Sequence, residues 1–162
     1  MTIQLKGTEQ LRKNLNSINR NVRGAGAVRI VNAGADQIMN HARHNIHRTF
    51  SRHQTGGLAN SISVEAEQKG QGAVAHVRPH KEYARIQEKG GTILPKKKGG
   101  FLGIFGAKRG FLAWRDPDTG RLILARSVTL PPRPYLEPAA MDHQDDIVKA
   151  MTAESYKVMS EL

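Results

Sequence analysis

Three histidines stand three residues apart in a predicted helix, at positions His41, His44 and His47. Neighbouring rings at this spacing can approach one another, but the third lies about 240° round the helix from the first. A metalloprotease helix needs histidines at i and i+4 with a glutamate between them, and residues 37–64 contain no Asp or Glu. The pattern indicates a solvated basic helix face, and we expect neither a metal site nor a cofactor.

A glycine-rich segment, GGFLGIFGAKRG at 99–110, superficially looks like a phosphate-binding loop. Such a loop requires a lysine directly after its last glycine, followed by serine or threonine. Here Ala107 separates Gly106 from Lys108, and Arg109 stands at the hydroxyl position. The segment is therefore expected to be a flexible basic loop.

No set of residues for nucleophilic or acid–base catalysis is visible in the sequence. The chain has no cysteine and no G-x-S-x-G motif. Glu82 and Glu88 lie six residues apart in a short predicted helix, about 240° apart round its axis, so they do not face one another. We expect no catalytic residue and no enzymatic activity.

The charge of the chain is high and unevenly distributed. The formal net charge is +11, and residues 1–133 carry 23 Lys/Arg against 8 Asp/Glu, whereas residues 134–162 carry 2 against 6. A basic body predicts nucleic acid or an acidic partner. It also allows identical copies to attract one another, acidic end against basic body.

The amino-acid usage excludes several classes of protein. Without cysteine there is no disulfide scaffold and no thiolate zinc site. The opening MTIQLKGTEQ lacks the apolar core of a signal peptide, and no apolar run approaches the roughly 18 residues that span a membrane. We expect a soluble protein without a membrane partner.

Hydrophobic periodicity predicts an α+β fold in the order α-α-β-β-α-β-β-α. Two N-terminal helices separated by RGAG at 23–26 are followed by a β-hairpin at 61–79 and a short helix at 81–91. A second hairpin is predicted at 111–130, and a C-terminal helix from near Tyr135. The two hairpins are expected to form a small, mainly antiparallel sheet. We expect one domain, 1–162, with a flexible basic loop at about 92–110.

The segment VTLPPRPYLEPAA, at 128–140, is rich in proline, and we call it the proline segment. Because proline lacks a backbone N–H and restricts φ, strand pairing should end at Leu130. Pro134 is expected in the first turn of the last helix or just before it. The segment is interpreted as a rigid elbow that directs this helix, with Arg133 paired to an acidic group or backbone carbonyls elsewhere.

Three ordered motifs carry a resemblance to a known family. They are TGGLANSI at 55–62, YARIQEKGGTILPKK at 83–97 and VTLPPRPYLEPA at 128–139, with an aromatic strand FLAW before the last. This set resembles the bacteriophage virion-morphogenesis family, the tail-completion or head–tail joining proteins of tailed phages and Mu-like prophages.

The resemblance implies a small, non-enzymatic neck protein that forms a ring of copies, expected as a hexamer, around the DNA channel. Its partners would be a connector or head-closure protein, a tail tube or terminator protein, and packaged DNA. It would be assembled in the bacterial host cytoplasm and would reside in the virion. The implied interface residues are Tyr83, Gly90, Gly91, Thr92, Pro132, Arg133, Pro134, Tyr135, Leu136 and Pro138.

Five basic residues of the flexible loop are candidates for facing the DNA or the lumen of the ring: Lys96, Lys97, Lys98, Lys108 and Arg109. The same residues leave a second hypothesis open, a free DNA-binding protein that contacts phosphates without reading the base sequence. Aromatic residues suited to base stacking are few, and no recognisable nucleic-acid-binding motif is present.

Overall fold

A computed structural model describes residues 8–50, 56–95, 111–116 and 118–161. The predicted α+β class is confirmed: the described chain combines small antiparallel sheets with helices at its N-terminal and C-terminal ends. Most of the predicted flexible loop, including Lys96, Lys97, Lys98, Lys108 and Arg109, lies outside the described residues.

Two helices open the described chain, as the apolar periodicity predicts. Helix α1 spans Thr8–Val22 and helix α2 spans Ala25–Thr49. Between them Gly24 has a φ of 69°, a conformation that glycine adopts without steric cost. The RGAG break therefore ends one helix and redirects the chain into the next.

The strands form three separate two-stranded antiparallel sheets. Strand β1, Ile62–Lys69, pairs with β2, Gly72–Pro79, in the first predicted hairpin. Helix α3, Ala84–Lys89, follows, and strand β3 is Gly91–Ile93. Strands β4, Leu112–Arg115, and β5, Leu122–Ala125, form the second hairpin.

The predicted strand at 121–130 is divided in two. It bends at Arg126 and Ser127 and continues as strand β6, Val128–Leu130. This strand pairs with β3 rather than extending the hairpin. As predicted, strand structure ends at Leu130, where two prolines follow.

The C-terminal helix is also divided. Helix α4 spans Leu136–Met141 and helix α5 spans Gln144–Ser160. His143, between them, has φ −120° and ψ 30°, outside the helical region. Asp145 and Asp146 occupy the first turn of α5, where carboxylates stabilise the positive end of the helix dipole.

Helix α2 is the platform of the molecule, since α5, α4, β1 and β2 all pack against it. Its contact with α5 is close: a Cβ atom on Gly34 would lie 2.8 Å from Cγ of Met151. The buried core lies at the C-terminal end of α2. It consists of Ala42, Ile46, Phe50, Leu58, Ala59, Ile62, Ala84, Tyr135 and Ala139.

Ion pairs join the two long helices at one end. Arg29 of α2 contacts Glu154 and Glu161 at 2.7 Å each. The pairing raises the pKa of Arg29 and lowers the pKa of both carboxyl groups through hydrogen bonds to the guanidinium. Part of the acidic charge of the C-terminal region is therefore neutralised within the chain.

In the described part of the chain, no helix combines the length and hydropathy needed to cross a bilayer.

Candidate functional site

Two of the three motifs that carry the resemblance pack against one another. Strand β3 continues from the YARIQEKGG motif and pairs with β6 of the proline segment, with Thr92 opposite Thr129. The two threonine hydroxyl oxygens are 3.1 Å apart. Residues separated by a long stretch of sequence thus form one site, and we call it the elbow site: residues 83–93 together with the proline segment.

Gly90 allows the two halves of the elbow site to meet. Its φ is 67°, and a Cβ atom there would lie 2.7 Å from the nitrogen of Pro132 and 2.9 Å from the oxygen of Leu130. Both the conformation and the space therefore require glycine. Because Pro132 has no backbone N–H, the close approach of Gly90 leaves no donor at this position without a partner.

The carboxylate of Glu88 satisfies the N-terminus of α4. It accepts hydrogen bonds from the backbone N–H groups of Tyr135 at 2.8 Å, Leu136 at 3.1 Å and Glu137 at 2.9 Å. The first four N–H groups at a helix start, counted from the N-cap residue, lack partners within the helix. Counted from the N-cap Tyr135, the fourth residue is Pro138, which has no N–H. One side chain from α3 therefore meets the whole requirement of this helix end.

Tyr135 anchors the elbow site in the core. The side chain is only 1% exposed, and its ring meets Phe50 edge to face, with centroids 6.5 Å apart. Asn45 of α2 donates a hydrogen bond from Nδ2 to the backbone oxygen of Tyr135 at 3.1 Å. Burial, with a smaller contribution from the charge of Glu88, raises the pKa of Tyr135 to about 12.

Arg133 contacts the site through both backbone and side chain. Its N–H donates to the backbone oxygen of Gln87 at 2.8 Å. Its guanidinium carbon lies 5.7 Å from the centroid of the Phe50 ring, within the range of a cation–π contact. The sequence predicts an acidic group or backbone carbonyls as the partner of this side chain, whereas its contact among the described residues is with an aromatic face.

The structure separates the predicted interface residues into two groups. Tyr135 is buried, while Leu136 and Pro138 are partly covered. Facing outward are Tyr83, Thr92, Pro132, Arg133 and Pro134. Gly90 and Gly91 form the corner between the groups. The outward group is available to a neighbouring molecule, whereas the buried group maintains the shape of the site.

Arg43 has a structural role that the charge pattern did not reveal. Its guanidinium donates hydrogen bonds to the backbone oxygens of Ala59 at 3.2 Å and Ile62 at 3.0 Å. It therefore connects α2 to the start of β1 and is less available to phosphates than its sequence position suggests. The side chains of His44, His47 and Arg48 on the same helix are exposed.

Local sequence patterns do not reveal the capping role of Glu88, because the residues that it caps lie far away in the sequence. In the sequence, Glu88 stands out only as a possible catalytic partner of Glu82. A capping carboxylate is normally found within three residues of the N-terminus that it caps, and here it lies 47 residues before Tyr135.

Replacing the capping carboxylate should weaken the fold. Glu88→Ala would leave the partly buried N–H groups of Tyr135 and Leu136 without an acceptor, which costs about 2–3 kcal/mol of unfolding free energy. Urea denaturation measures this loss, and amide exchange at residues 135–137 should accelerate. Glu82→Ala, an exposed neighbour, is the control and should change stability by less than about 0.5 kcal/mol. Equal stability of the two variants would exclude the capping role.

The buried tyrosine predicts a loss of stability in alkali. With its pKa raised to about 12 in the folded chain, Tyr135 holds its proton more tightly than in the unfolded chain. This stabilisation is complete below the ordinary pKa of about 10 and is lost as the pH rises through about 12. At about pH 11 the loss amounts to about 1.4 kcal/mol.

Tyr135→Phe removes this titration, so the variant should lose less unfolding free energy than wild type between about pH 8 and about pH 11. The measurement is urea denaturation at both pH values. Tyr156→Phe, at a side chain that is 66% exposed, should behave like wild type. A Tyr135→Phe variant that loses as much stability as wild type would contradict the assignment.

Comparison with known families gives one finding. The family described as "Bacteriophage HK97-gp10, putative tail-component" matches residues 9–90, which is just over half of the chain. The match runs from α1 to Gly90, so it includes Glu88 and ends where the proline segment packs. Neither the curated proteins nor the solved structures contain a match to this chain. The resemblance to phage tail and neck proteins is confirmed at this level, and the chain belongs to the HK97-gp10-like family of bacteriophage tail components.

Proposed function

We propose that this tail component acts in the neck of a tailed phage, where it completes the tail or joins it to the head as a ring of copies around the DNA channel. Family membership supports a structural role in the virion. Our proposal goes further than this finding in two respects, the position in the neck and the assembly into a ring. The observation that carries the proposal is an apolar surface on the β4–β5 hairpin.

The hairpin exposes apolar side chains on one face. Leu122 and Leu124 of β5 are 47% and 53% exposed. The register pairs Leu124 with Ala113 and Leu122 with Arg115, and cross-strand partners lie on the same side of a sheet. Leu122, Leu124 and Ala113 therefore form a continuous apolar strip, here called the hairpin strip.

This hairpin gains little support from the rest of the described chain, because its main packing is between its own two strands. A two-stranded sheet with no further packing is marginally stable in water. Covering the hairpin strip would stabilise it by about 25 cal/mol for each Å² of apolar surface buried. A second molecule that covers the strip would therefore also order the hairpin.

We assign that second molecule to another copy of the chain. The hairpin strip and the elbow site are different surfaces, and contact between two different surfaces of identical copies generates a ring when the rotation closes. The remaining charges favour the same arrangement: Glu137, Asp142 and Asp145 are exposed near α4 and α5, while the body of the chain is basic. Acidic and basic surfaces of adjacent copies would then attract.

Within the ring, the outward residues of the elbow site would contact the adjacent copy or the proteins above and below it. Those proteins would be a connector or head-closure protein on one side, and a tail tube or terminator protein on the other. A rigid elbow suits this role because a segment that is already ordered loses little entropy on docking. No enzymatic activity is part of the proposal.

Contact with packaged DNA would be electrostatic. The exposed side chain of Arg48 on α2, together with Lys96, Lys97, Lys98, Lys108 and Arg109, would supply charges for phosphates without reading base sequence. This contact is secondary in the proposal, since Arg29 and Arg43 are already engaged within the chain.

Placing a charge in the hairpin strip should impair assembly without unfolding the chain. Leu124→Lys would bury an ammonium group at the contact between copies, and loss of the leucine alone removes about 2 kcal/mol of association free energy per contact. We expect fewer copies per particle by quantitative mass spectrometry, and a lower yield of infectious particles in a complementation assay.

Ser127→Lys is the matched control. Ser127 is exposed, and the substitution adds the same charge beside the hairpin but outside the hairpin strip. It should assemble like wild type. Circular dichroism should show that both variants remain folded. Normal incorporation and infectivity of Leu124→Lys would overturn the proposal.

A further inference from the structure

Three potential metal ligands meet where α2 passes the junction of α4 and α5. His41 lies on α2, His143 lies in the junction, and Asp146 lies in the first turn of α5. The two imidazole rings are stacked, with centroids 3.6 Å apart and planes 5° from parallel. One ligand atom from each of the three residues lies within 4.8 Å of the other two.

The separations between these atoms suit an ion better than a direct contact. Oδ2 of Asp146 lies 3.5 Å from Nε2 of His41 and 3.7 Å from Nδ1 of His143. Nitrogen–oxygen hydrogen bonds are usually shorter, about 2.7–3.2 Å. Two ligands bound tetrahedrally to zinc, each at about 2.1 Å, are separated by about 3.4 Å. The distances therefore match a shared ion, and the two parallel rings must tilt out of their stack so that both nitrogen lone pairs, which lie in the ring planes, point at it.

We propose that His41, His143 and Asp146 bind a transition-metal ion, with Zn²⁺ the best chemical match. Two imidazole nitrogens and one carboxylate oxygen form a ligand set that zinc accepts. Mg²⁺ and Ca²⁺ prefer sites made of oxygen atoms alone. The carboxylate side chain of Asp146 is half exposed, so water can complete the coordination shell.

This ligand set differs from the one considered in the sequence. His44 and His47 have exposed side chains on α2, and only His41 is shared between the two sets. The missing ligands come from near the other end of the chain, which no helical spacing can reveal. Because the three ligands come from two distant segments of the chain, a bound metal ion would fix α5 against α2 and stabilise the fold.

One neighbouring charge competes for the same carboxylate. Nζ of Lys149 lies 4.0 Å from Oδ1 of Asp146. The lysine side chain is 79% exposed, and an ion pair at this distance on a helix surface is weak. The lysine can move into solvent when a divalent ion binds, and it contacts Oδ1, whereas the two histidines lie near Oδ2.

The test is zinc titration of the full chain, without an affinity tag and after treatment with a chelator. Calorimetry should show one saturable site per chain, and the thermal midpoint of unfolding should rise with added Zn²⁺. His143→Ala and Asp146→Asn should each weaken zinc binding at least tenfold and remove most of the thermal shift. His44→Ala, which removes an exposed histidine of the same helix, should bind like wild type.

Folding defects are separated from ligand loss by measuring each variant in chelator. A variant that unfolds at the wild-type temperature in chelator, but gains nothing from zinc, supports the site. Substituting Co²⁺ should give the strong visible absorption of a low-symmetry site in wild type and not in His143→Ala. Equal zinc affinity in wild type, His143→Ala and Asp146→Asn, or no saturable binding up to about 1 mM, would overturn the proposal.

Discussion

The carboxylate of Glu88 connects the two halves of the molecule. It lies near the C-terminal end of α3 and accepts hydrogen bonds from the N–H groups of Tyr135, Leu136 and Glu137 at the start of α4. The orientation of α4 thereby depends on α3, which lies far from it in sequence. Gly90 permits the close approach of the proline segment. The pairing of β3 with β6 extends this contact by three residues of each strand.

A long helix and a small core explain how this contact directs the rest of the chain. Helix α2 packs with α5 from Gly26 to His41, and with the buried cluster around Tyr135 at its C-terminal end. Tyr135 is the largest fully buried side chain of the described residues, and much of the remaining core is alanine. A core of this size leaves the β4–β5 hairpin without strong support, which favours stabilisation by a neighbouring molecule.

Local patterns in the sequence predicted the elements well. Glycine and proline marked the break before α2, the end of α3 and the end of β6, because each restricts or permits particular backbone angles. Apolar periodicity located both hairpins. The pairing of β3 with β6, the cap by Glu88 and the meeting of His41 with His143 were not predictable in this way, since each joins residues far apart in sequence. The bend at Arg126 and Ser127 also has no glycine or proline to mark it.

We propose that this family member assembles as a ring in the phage neck. Electron cryomicroscopy of particles from the phage or prophage that encodes the chain tests it most directly. We expect a closed ring of this chain at the head–tail junction, with Leu122 and Leu124 of each copy buried against the next. Density for the chain elsewhere in the particle, or a ring in which the hairpin strip faces solvent, would contradict it.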